Sequence, residues 1–353
     1  MLPRSSLRGS IVVVVLIACA GFRIAGAEPE PEPAKARAAV RKSLTFLDED
    51  GLRWKEKYKC ASCHHAPMMI WAFNEAKAHA YSVNEKSLAE VTRWCLAPDS
   101  VSEGGAKVFP EPPKPDAPPS TRGVTLPLPL LVLATAGATS LDAELRKGID
   151  RAATLLLGQQ TDDGSWVLNP DMGRPPILDR RNVMTLWSTL ALSISTLDPQ
   201  VAKAAEPARE KASQWLTADK QPPSHQASVL SLLLHLGRSE PEKNTSPALA
   251  KLLGEQREDG GWSQSADLSS DAHATGQALY ALSHAGVKAD HPAVVRATAF
   301  LVASQEDDGS WVMRSRPVFG GGAEGAKNLV PIIYEGSAWA TLGLVQFWPE
   351  LKS

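Results

Sequence analysis

Apolar side chains recur along most of the chain at spacings of three and four residues, the pattern of helices that bury one face. Val294, Ala297, Phe300, Leu301 and Ser304, for example, share one stripe. Twelve such segments predict an all-α protein of six consecutive helix pairs. The segments are 36–48, 66–78, 83–96, 128–137, 143–158, 183–196, 202–218, 225–236, 247–256, 272–285, 292–305 and 334–347.

Three of these helices end in the same motif, a Gln followed by Asp, Gly and Trp three, four and six positions later. The Gly residues predict turns with a backbone conformation that other residues resist. The spacing between copies is 49 residues or 96, about twice that, which leaves room for a degenerate copy near 211–216. A period of this size accommodates two helices that bury their apolar faces only against neighbouring repeats. The motif residues are Gln160, Gly164, Trp166, Gln256, Gly260, Trp262, Gln305, Gly309 and Trp311.

These copies resemble the QW repeat of the squalene–hopene cyclase and protein prenyltransferase β-subunit superfamily. The resemblance implies an all-α, α/α toroid over 36–353. It also implies that each outer helix ends in a QW turn and that each inner helix points its N-terminus at a central cavity. The Gln and Trp side chains are structural in that superfamily and tie neighbouring repeats together.

Residues 1–27 have the features of a secretory signal. Arg4 and Arg8 precede an apolar run too short to span a bilayer, and a small-x-small cleavage site ends at Ala27. The sequence around Cys19 also resembles a lipobox, so lipid anchoring through Cys19 is the alternative. Both interpretations predict an exported protein, periplasmic or attached to the membrane by lipid. Residues 28–35 are predicted to be an extended linker.

The composition of the chain bears on its possible partners and on its disulfide content. The chain is 43% hydrophobic and 22% charged with a net charge of −2, which favours neither nucleic acid nor an anionic membrane surface as a partner. Its four cysteines are too few for a disulfide framework at this size. The proline-rich stretch 104–119 and the glycine-rich stretch 320–325 are predicted loops.

The sharpest chemical motif is Cys60-Ala61-Ser62-Cys63-His64. Cys-x-x-Cys-His is the attachment pattern of c-type haem, in which both thiols form thioethers and the His ligates the iron. Attachment takes place outside the cytoplasm, in keeping with the export signal. The alternatives are a Cys60–Cys63 disulfide or free thiols, and a zinc site that uses the same residues. No distal iron ligand is evident, because Met68 lies only four residues beyond His64.

A second candidate site follows from the implied toroid. The first residues of its inner helices converge on the cavity, and many of them are polar. Simple helix caps and solvated charges are the alternative explanation. Asp271, Glu335 and His225 are candidate catalytic residues there. The proposed cavity lining comprises His65, Met68, Arg181, His273 and Tyr334, and the inner-helix aromatic residues Trp71, Trp187, Tyr280 and Trp339 either line it or form core.

The catalytic motifs of the resembled superfamily are missing. The chain has neither the DxDD acid motif of the cyclases nor the Asp-x-Cys zinc pair of the prenyltransferases, and fold alone does not imply function. The first hypothesis is therefore a haem-bearing redox or ligand-binding module, with a possible redox partner. The second is a terpenoid cyclase or transferase that takes an isoprenoid-like ligand at Asp271 or Glu335. A polysaccharide lyase using Arg181, His225 and Tyr334, and a non-catalytic scaffold, are weaker alternatives.

Overall fold

The computed structural model describes residues 33–61, 64–101, 105, 107–109, 127–138, 141–167, 180–194, 196–219, 223–236, 241–314, 316 and 329–351. Twelve α-helices occupy these ranges. They are α1 Pro33–Tyr58, α2 Ala66–Ala78, α3 Glu85–Leu96, α4 Pro127–Ala134, α5 Ala143–Gly158, α6 Arg181–Ala191, α7 Pro199–Ala218, α8 His225–Leu236, α9 Pro241–Gly254, α10 Ala272–His284, α11 Pro292–Ser304 and α12 Val330–Phe347.

The even-numbered helices form an inner ring. Each contacts the next, and α12 returns to contact α2. The odd-numbered helices lie outside, where α11 contacts α1. The predicted all-α toroid is confirmed. Among the described helices, none has both the length and the apolar character needed to cross a bilayer.

Burial explains the two layers. The inner helices α2, α10 and α12 bury residues around nearly their whole circumference, whereas α3 and α5 bury one stripe each, as expected of core and surface helices respectively. Side-chain caps begin several helices, among them Asp142 on α5 and Asp271 on α10. The inner layer is therefore where side chains from successive repeats meet.

Each QW turn fastens its repeat to the next outer helix. The Gln305 side-chain amide donates to its own turn at Gly309 O (3.1 Å) and to Ala39 O of α1 (2.9 Å). The Trp311 indole N–H donates to Leu301 O at 2.8 Å. The other two motifs repeat these contacts, with Gln160 bonded to Ala208 O of α7 and Gln256 to Ala293 O of α11.

Two features of the three turns require glycine: the backbone conformation and a close contact with the next outer helix. Gly164, Gly260 and Gly309 have φ angles of 92°, 89° and 91°, in the left-handed region that favours glycine. A Cβ atom on each would also come within 2.6 Å of a backbone carbonyl oxygen of the next outer helix. The turn is thus both a chain reversal and a close contact between repeats.

Helix boundaries differ from the prediction in several places. α1 continues to Tyr58 rather than ending at residue 48, because its buried stripe runs on through Leu47, Gly51 and Trp54. A Cβ at Gly51 would lie 2.7 Å from the Tyr334 hydroxyl, so glycine serves close packing there. α12 begins at Val330, with Pro331 in its first turn. α1 also includes the last three residues of the predicted linker 28–35.

Several predicted features lie outside the described residues. They are the signal segment 1–27, Cys19, Cys63, most of 104–119 and the glycine-rich stretch 320–325.

Candidate functional site

The predicted site residues fall into two groups at the N-terminal ends of the inner helices. The first, here called the histidine relay, consists of Asp50, His65 and His64. The second, the acid–imidazole cluster, consists of His225, Asp271, His273, Gln277 and Glu335. α12 contributes to both, since Tyr334 packs on His65 while Glu335 lies beside His273.

The histidine relay is a chain of hydrogen bonds inside the protein. His65 Nε2 lies 3.2 Å from Asp50 Oδ2, and His65 Nδ1 lies 2.5 Å from His64 Nδ1. The other Asp50 oxygen accepts from Arg53 at 2.6 Å. Both imidazoles are buried, with at most 1% of either residue exposed.

Two aromatic rings hold His65 in place. Trp54 stacks on its ring at 4.1 Å and an interplanar angle of 12°, and Tyr334 stacks at 4.0 Å and 25°. The Tyr334 hydroxyl is itself fixed by donation to Leu47 O at 2.9 Å. Trp54 also meets the His64 ring edge-on at 4.8 Å. The relay therefore has little rotational freedom.

The hydrogen bonds assign the tautomers of the relay. Burial lowers the pKa of His65 well below its usual value, so His65 is neutral and carries one ring proton. An Asp50 carboxylate only accepts hydrogen bonds, which places that proton on His65 Nε2. His65 Nδ1 then accepts from His64 Nδ1–H, and a neutral His64 has its lone pair on Nε2.

The cysteines around the relay are only partly described. Cys60 is buried, with 1% of the residue exposed, and Cys63 lies outside the described residues. Cys95, on α3, is fully buried, and burial together with the nearby Cys60 raises the pKa of its thiol. Met68 is fully buried in the first turn of α2. Within the described part of the chain, no three His, Cys, Asp or Glu side chains gather in an arrangement that could hold a metal ion.

The acid–imidazole cluster centres on a buried carboxyl and a buried imidazole. Glu335 Oε1 lies 3.6 Å from His273 Nε2, and both side chains are nearly inaccessible. Burial raises the pKa of Glu335 well above its usual value and lowers that of His273 well below. Burial therefore favours the neutral form of both groups, which for Glu335 is the protonated carboxyl.

Several polar atoms of this cluster lack hydrogen-bond partners among the described residues. They are His273 Nδ1, Gln277 Oε1, Glu335 Oε2 and the indole nitrogen of Trp339. The Trp339 indole lies close enough to Glu335 to oppose the rise in the pKa of that carboxyl, but its nitrogen has no partner that meets hydrogen-bond geometry. Buried polar atoms without partners are rare and call for an explanation.

Asp271 and His225 lie at the starts of α10 and α8. Asp271 caps α10 by accepting from Ala274 N at 2.9 Å, and it also accepts from Gln264 Nε2 at 2.8 Å. Burial nevertheless raises the pKa of Asp271 to about 6. His225 Nε2 lies 2.9 Å from Ala274 O, and burial lowers the pKa of His225 to about 4.

The inner-helix aromatic residues pack on one another. Trp71, Trp187, Tyr280 and Trp339 form edge-to-face or tilted pairs with ring centroids 5.3–6.1 Å apart. α10 and α12 are in direct backbone contact beside them, at Gly276 and Gly343. These rings act as core of the inner layer in the described structure.

Arg181 does not join either group. Its guanidinium donates to Asp163 Oδ2 at 2.7 Å, lies over the Trp215 ring and is 42% exposed. These contacts place Arg181 beside the QW turn after α5, apart from the other predicted cavity residues. The side chain extends outward from the start of α6 to the QW turn, where a carboxylate is available.

Sequence reasoning did not identify Asp50, Trp54, Gln264, Gln277 or Arg316. Asp50 and Trp54 are four residues apart and therefore share a helix face. The predicted first helix ended at residue 48, so this spacing was not considered. Gln277 lies one helical turn beyond His273. Gln264 follows a QW turn by two residues, and no local pattern marks it.

An open cleft of about 670 Å³ lies beside the acid–imidazole cluster. It is named the α8 cleft after the helix whose N-terminus borders it. Its walls come from the starts of α6 and α8, the QW turn after α9 and Arg316. The lining residues are Arg180, Pro223, Ser224, His225, Glu255, Arg257, Trp262, Ser263, Gln264, Ser265, Ala266 and Arg316.

Comparison with known proteins supports the resemblance to cyclase-type toroids. Residues 201–309 match the squalene-hopene cyclase N-terminal domain family. A protein from Actinoplanes is similar in structure, with a TM-score of 0.56 and 12% identity over 88% of this chain and 99% of that one. A glycosidase variant in complex with glucose has a TM-score of 0.55 and 12% identity over 90% of this chain and 98% of that one. These two likenesses show the fold alone. No curated protein sequence matches the chain.

Proposed function

We propose that this protein is an exported redox or ligand-binding module whose toroid carries a c-type haem, attached through Cys60 and Cys63 and ligated by His64. The observation that carries the proposal is the histidine relay. A metal-bound imidazole needs its second nitrogen hydrogen-bonded to a fixed partner, which sets its tautomer and orientation. His64 has such a partner in His65, which in turn is bonded to Asp50.

The described donors fit this group in their chemistry. His64 presents Nε2 as the lone-pair nitrogen, and Cys60 is three residues before Cys63, as the attachment motif requires. A c-type haem would supply a one-electron couple or an iron centre that binds a small ligand. Asp50 and His65 act as positioning residues, and Trp54 and Tyr334 prevent the His65 ring from turning away. Burial of both imidazoles keeps water from competing for their nitrogens.

The decisive experiment is to produce the full chain in a host that matures c-type cytochromes. Thioethers survive denaturation, so the denatured protein should be red and should have gained the mass of one haem. Cys60→Ala with Cys63→Ala should abolish this gain. Cys95→Ala is the matched control, because Cys95 is buried but outside the motif, and it should keep the haem. A colourless wild-type protein of unmodified mass, from a host that matures other cytochromes c, would refute the proposal.

A separate experiment tests whether the histidine relay orients His64. His65→Gln should leave the haem covalently attached but shift the iron's absorption bands, since His64 loses its fixed hydrogen-bond partner. Unaltered spectra would show that the relay does not orient the ligand.

A second candidate function is a terpenoid cyclase or transferase with Glu335 as its acid. The burial of Glu335, which raises its pKa and favours a protonated carboxyl, supports this function, as does the match to a cyclase domain. Product analysis with squalene, comparing wild type with Glu335→Gln, tests it. The lyase alternative has less support, because Arg181 is paired with Asp163 and Tyr334 packs on His65.

A further inference from the structure

We infer that the outer helix α7 is a flap, which undocks from the toroid as one unit while the inner ring of helices stays closed. This inference is independent of the proposed haem. It follows from the way in which α7 is held: the helix is attached along one side, it buries few side chains, and an open groove separates it from the helices behind it.

The attachment of α7 is on its α5 side. Gln160, in the QW turn after α5, donates from Nε2 to Ala208 O of α7 at 2.8 Å. The backbone N–H of Asp198, which caps α7, donates to Asp150 Oδ1 of α5 at 3.0 Å. Among the described helices, α7 has substantial contact with α5 and α6 and with no other helix to a comparable extent. The α5 side is therefore where α7 remains joined when it undocks.

The other side of α7 lacks the turn that fastens three of the other outer helices to the next one. The sequence from 214 to 223 contains Gln and Trp but no Asp-Gly pair, and α8 begins at His225. The Gln214 amide donates to Glu210 Oε1 at 3.0 Å, and Trp215 lies under the Arg181 guanidinium. Gln214 thus bonds its own helix, whereas the Gln of each QW turn bonds the next outer helix.

The packing of α7 is also weak for its length. Its buried residues are three alanines, Ala205, Ala208 and Ala212, in a helix of 20 residues. The 16 residues of α5, in contrast, include seven buried ones, and three of these are leucines. Because the free energy of docking scales with the apolar area that is buried, α7 gains less from docking than α5 does. Pro207, inside α7, removes a further hydrogen bond from the helix itself.

An open groove, here called the α7 groove, lies between α7 and the inner helices α6 and α8. It consists of two cavities of about 870 and 300 Å³, which share the lining residues Ser213, Thr217 and Leu234. Protein interiors are close-packed, so a groove of this size shows that α7 covers the inner layer incompletely. Undocking exposes the groove leucines Leu190 of α6 and Leu233 of α8. The inner ring stays closed there, because α6 and α8 contact each other directly.

Hydrogen–deuterium exchange of the full-length protein, read by mass spectrometry of its peptides, tests the inference. An isolated helix of this length is only marginally stable in water, so the α7 amides exchange together whenever the helix undocks. We expect the α7 amides to exchange at least about tenfold faster than those of α5, α6, α8 and α11, because local opening requires less free energy than global unfolding.

Two proline substitutions in α7 sharpen the test. Pro207→Ala should slow the exchange of α7 at least about tenfold, because alanine is strongly favoured over proline in a helix interior. Pro199→Ala is the matched control, since Pro199 lies in the first turn of the same helix, where proline is well tolerated. It should not slow the exchange. Circular dichroism melts show that each variant is folded.

Several results would overturn the inference. One is that α7 is as well protected from exchange as α5 and α11. Another is that α6 and α8 exchange as fast as α7, since the inner ring would then open as well. A folded Pro207→Ala protein in which α7 exchanges as fast as in the wild type would also overturn it.

Discussion

The QW turns and the acid–imidazole cluster contain similar residue types but differ in whether their buried polar atoms have hydrogen-bond partners. In the turns, the Gln305 amide donates two hydrogen bonds and the Trp311 indole donates one, all to backbone oxygens. In the cluster, His273, Gln277 and Glu335 each keep one buried atom without a partner in the described part of the chain.

This difference in hydrogen bonding indicates that the turns contribute to stability and the cluster to function. A satisfied buried hydrogen bond contributes about 1 kcal/mol, whereas an unsatisfied buried group costs about 1–3 kcal/mol. The turns therefore stabilise the toroid, and the cluster lowers its stability. Destabilising arrangements persist where the unpaired groups have another use, and active or binding sites are the common case.

The largest expected effect comes from removing a turn side chain. Trp311 is 1% exposed and joins its repeat to the inner helix α12 through Ser337, whose hydroxyl oxygen accepts from Trp311 N. We expect Trp311→Ala to lower the free energy of unfolding by about 3–5 kcal/mol, because it leaves a large cavity. Urea denaturation followed by far-ultraviolet circular dichroism measures this change.

Val312 provides the control for Trp311. It is the next residue and is 62% exposed, so Val312→Ala should change stability by less than about 0.5 kcal/mol. Equal effects of the two substitutions would show that the turn does not hold neighbouring repeats together.

An intermediate effect is expected from pH at Asp271. Its pKa rises from 3.8 to about 6 on folding, so its contribution to stability is fully present below pH 3.8 and is lost as pH rises through 6. Relative to Asp271→Asn, the wild-type protein should lose about 2.4 kcal/mol of stability between pH 4 and 7. Asparagine keeps the helix cap and removes the titration. Parallel stability curves for the two proteins over this range would contradict burial as the cause.

The smallest effect is expected at Arg181. Its ion pair with Asp163 is 42–45% exposed, and exposed pairs contribute about 0–1 kcal/mol. Arg181→Ala should therefore reduce the free energy of unfolding by less than about 1 kcal/mol in urea denaturation. A larger loss would show that this ion pair holds the QW turn more strongly than its exposure indicates.

The parts of the fold that depend on local pattern were predictable, and contacts between distant repeats were less so. The QW motif repeats in sequence, so its turns follow from spacing, and the toroid follows from the family resemblance that the motif carries. The histidine relay joins α1 to α2 through Asp50 and His65 and depends on α1 running past residue 48. The helix continues through Gly51, where the close approach of Tyr334, nearly 300 residues later in the chain, favours glycine. The direction of Arg181 likewise depends on a turn that its own helix does not contain.

The hydrogen bond from Gln305 to Ala39 O has a consequence for the topology of the chain. It joins the last QW turn to the first helix, so the twelve described helices close into a ring in which each repeat covers the next, as capping repeats do at the ends of an open array. An open solenoid unravels from its ends, whereas this ring has to break one internal junction before any repeat separates. The order of the repeats along the chain is then partly arbitrary: a circularly permuted protein, opened between α7 and α8, has the same set of neighbours to assemble.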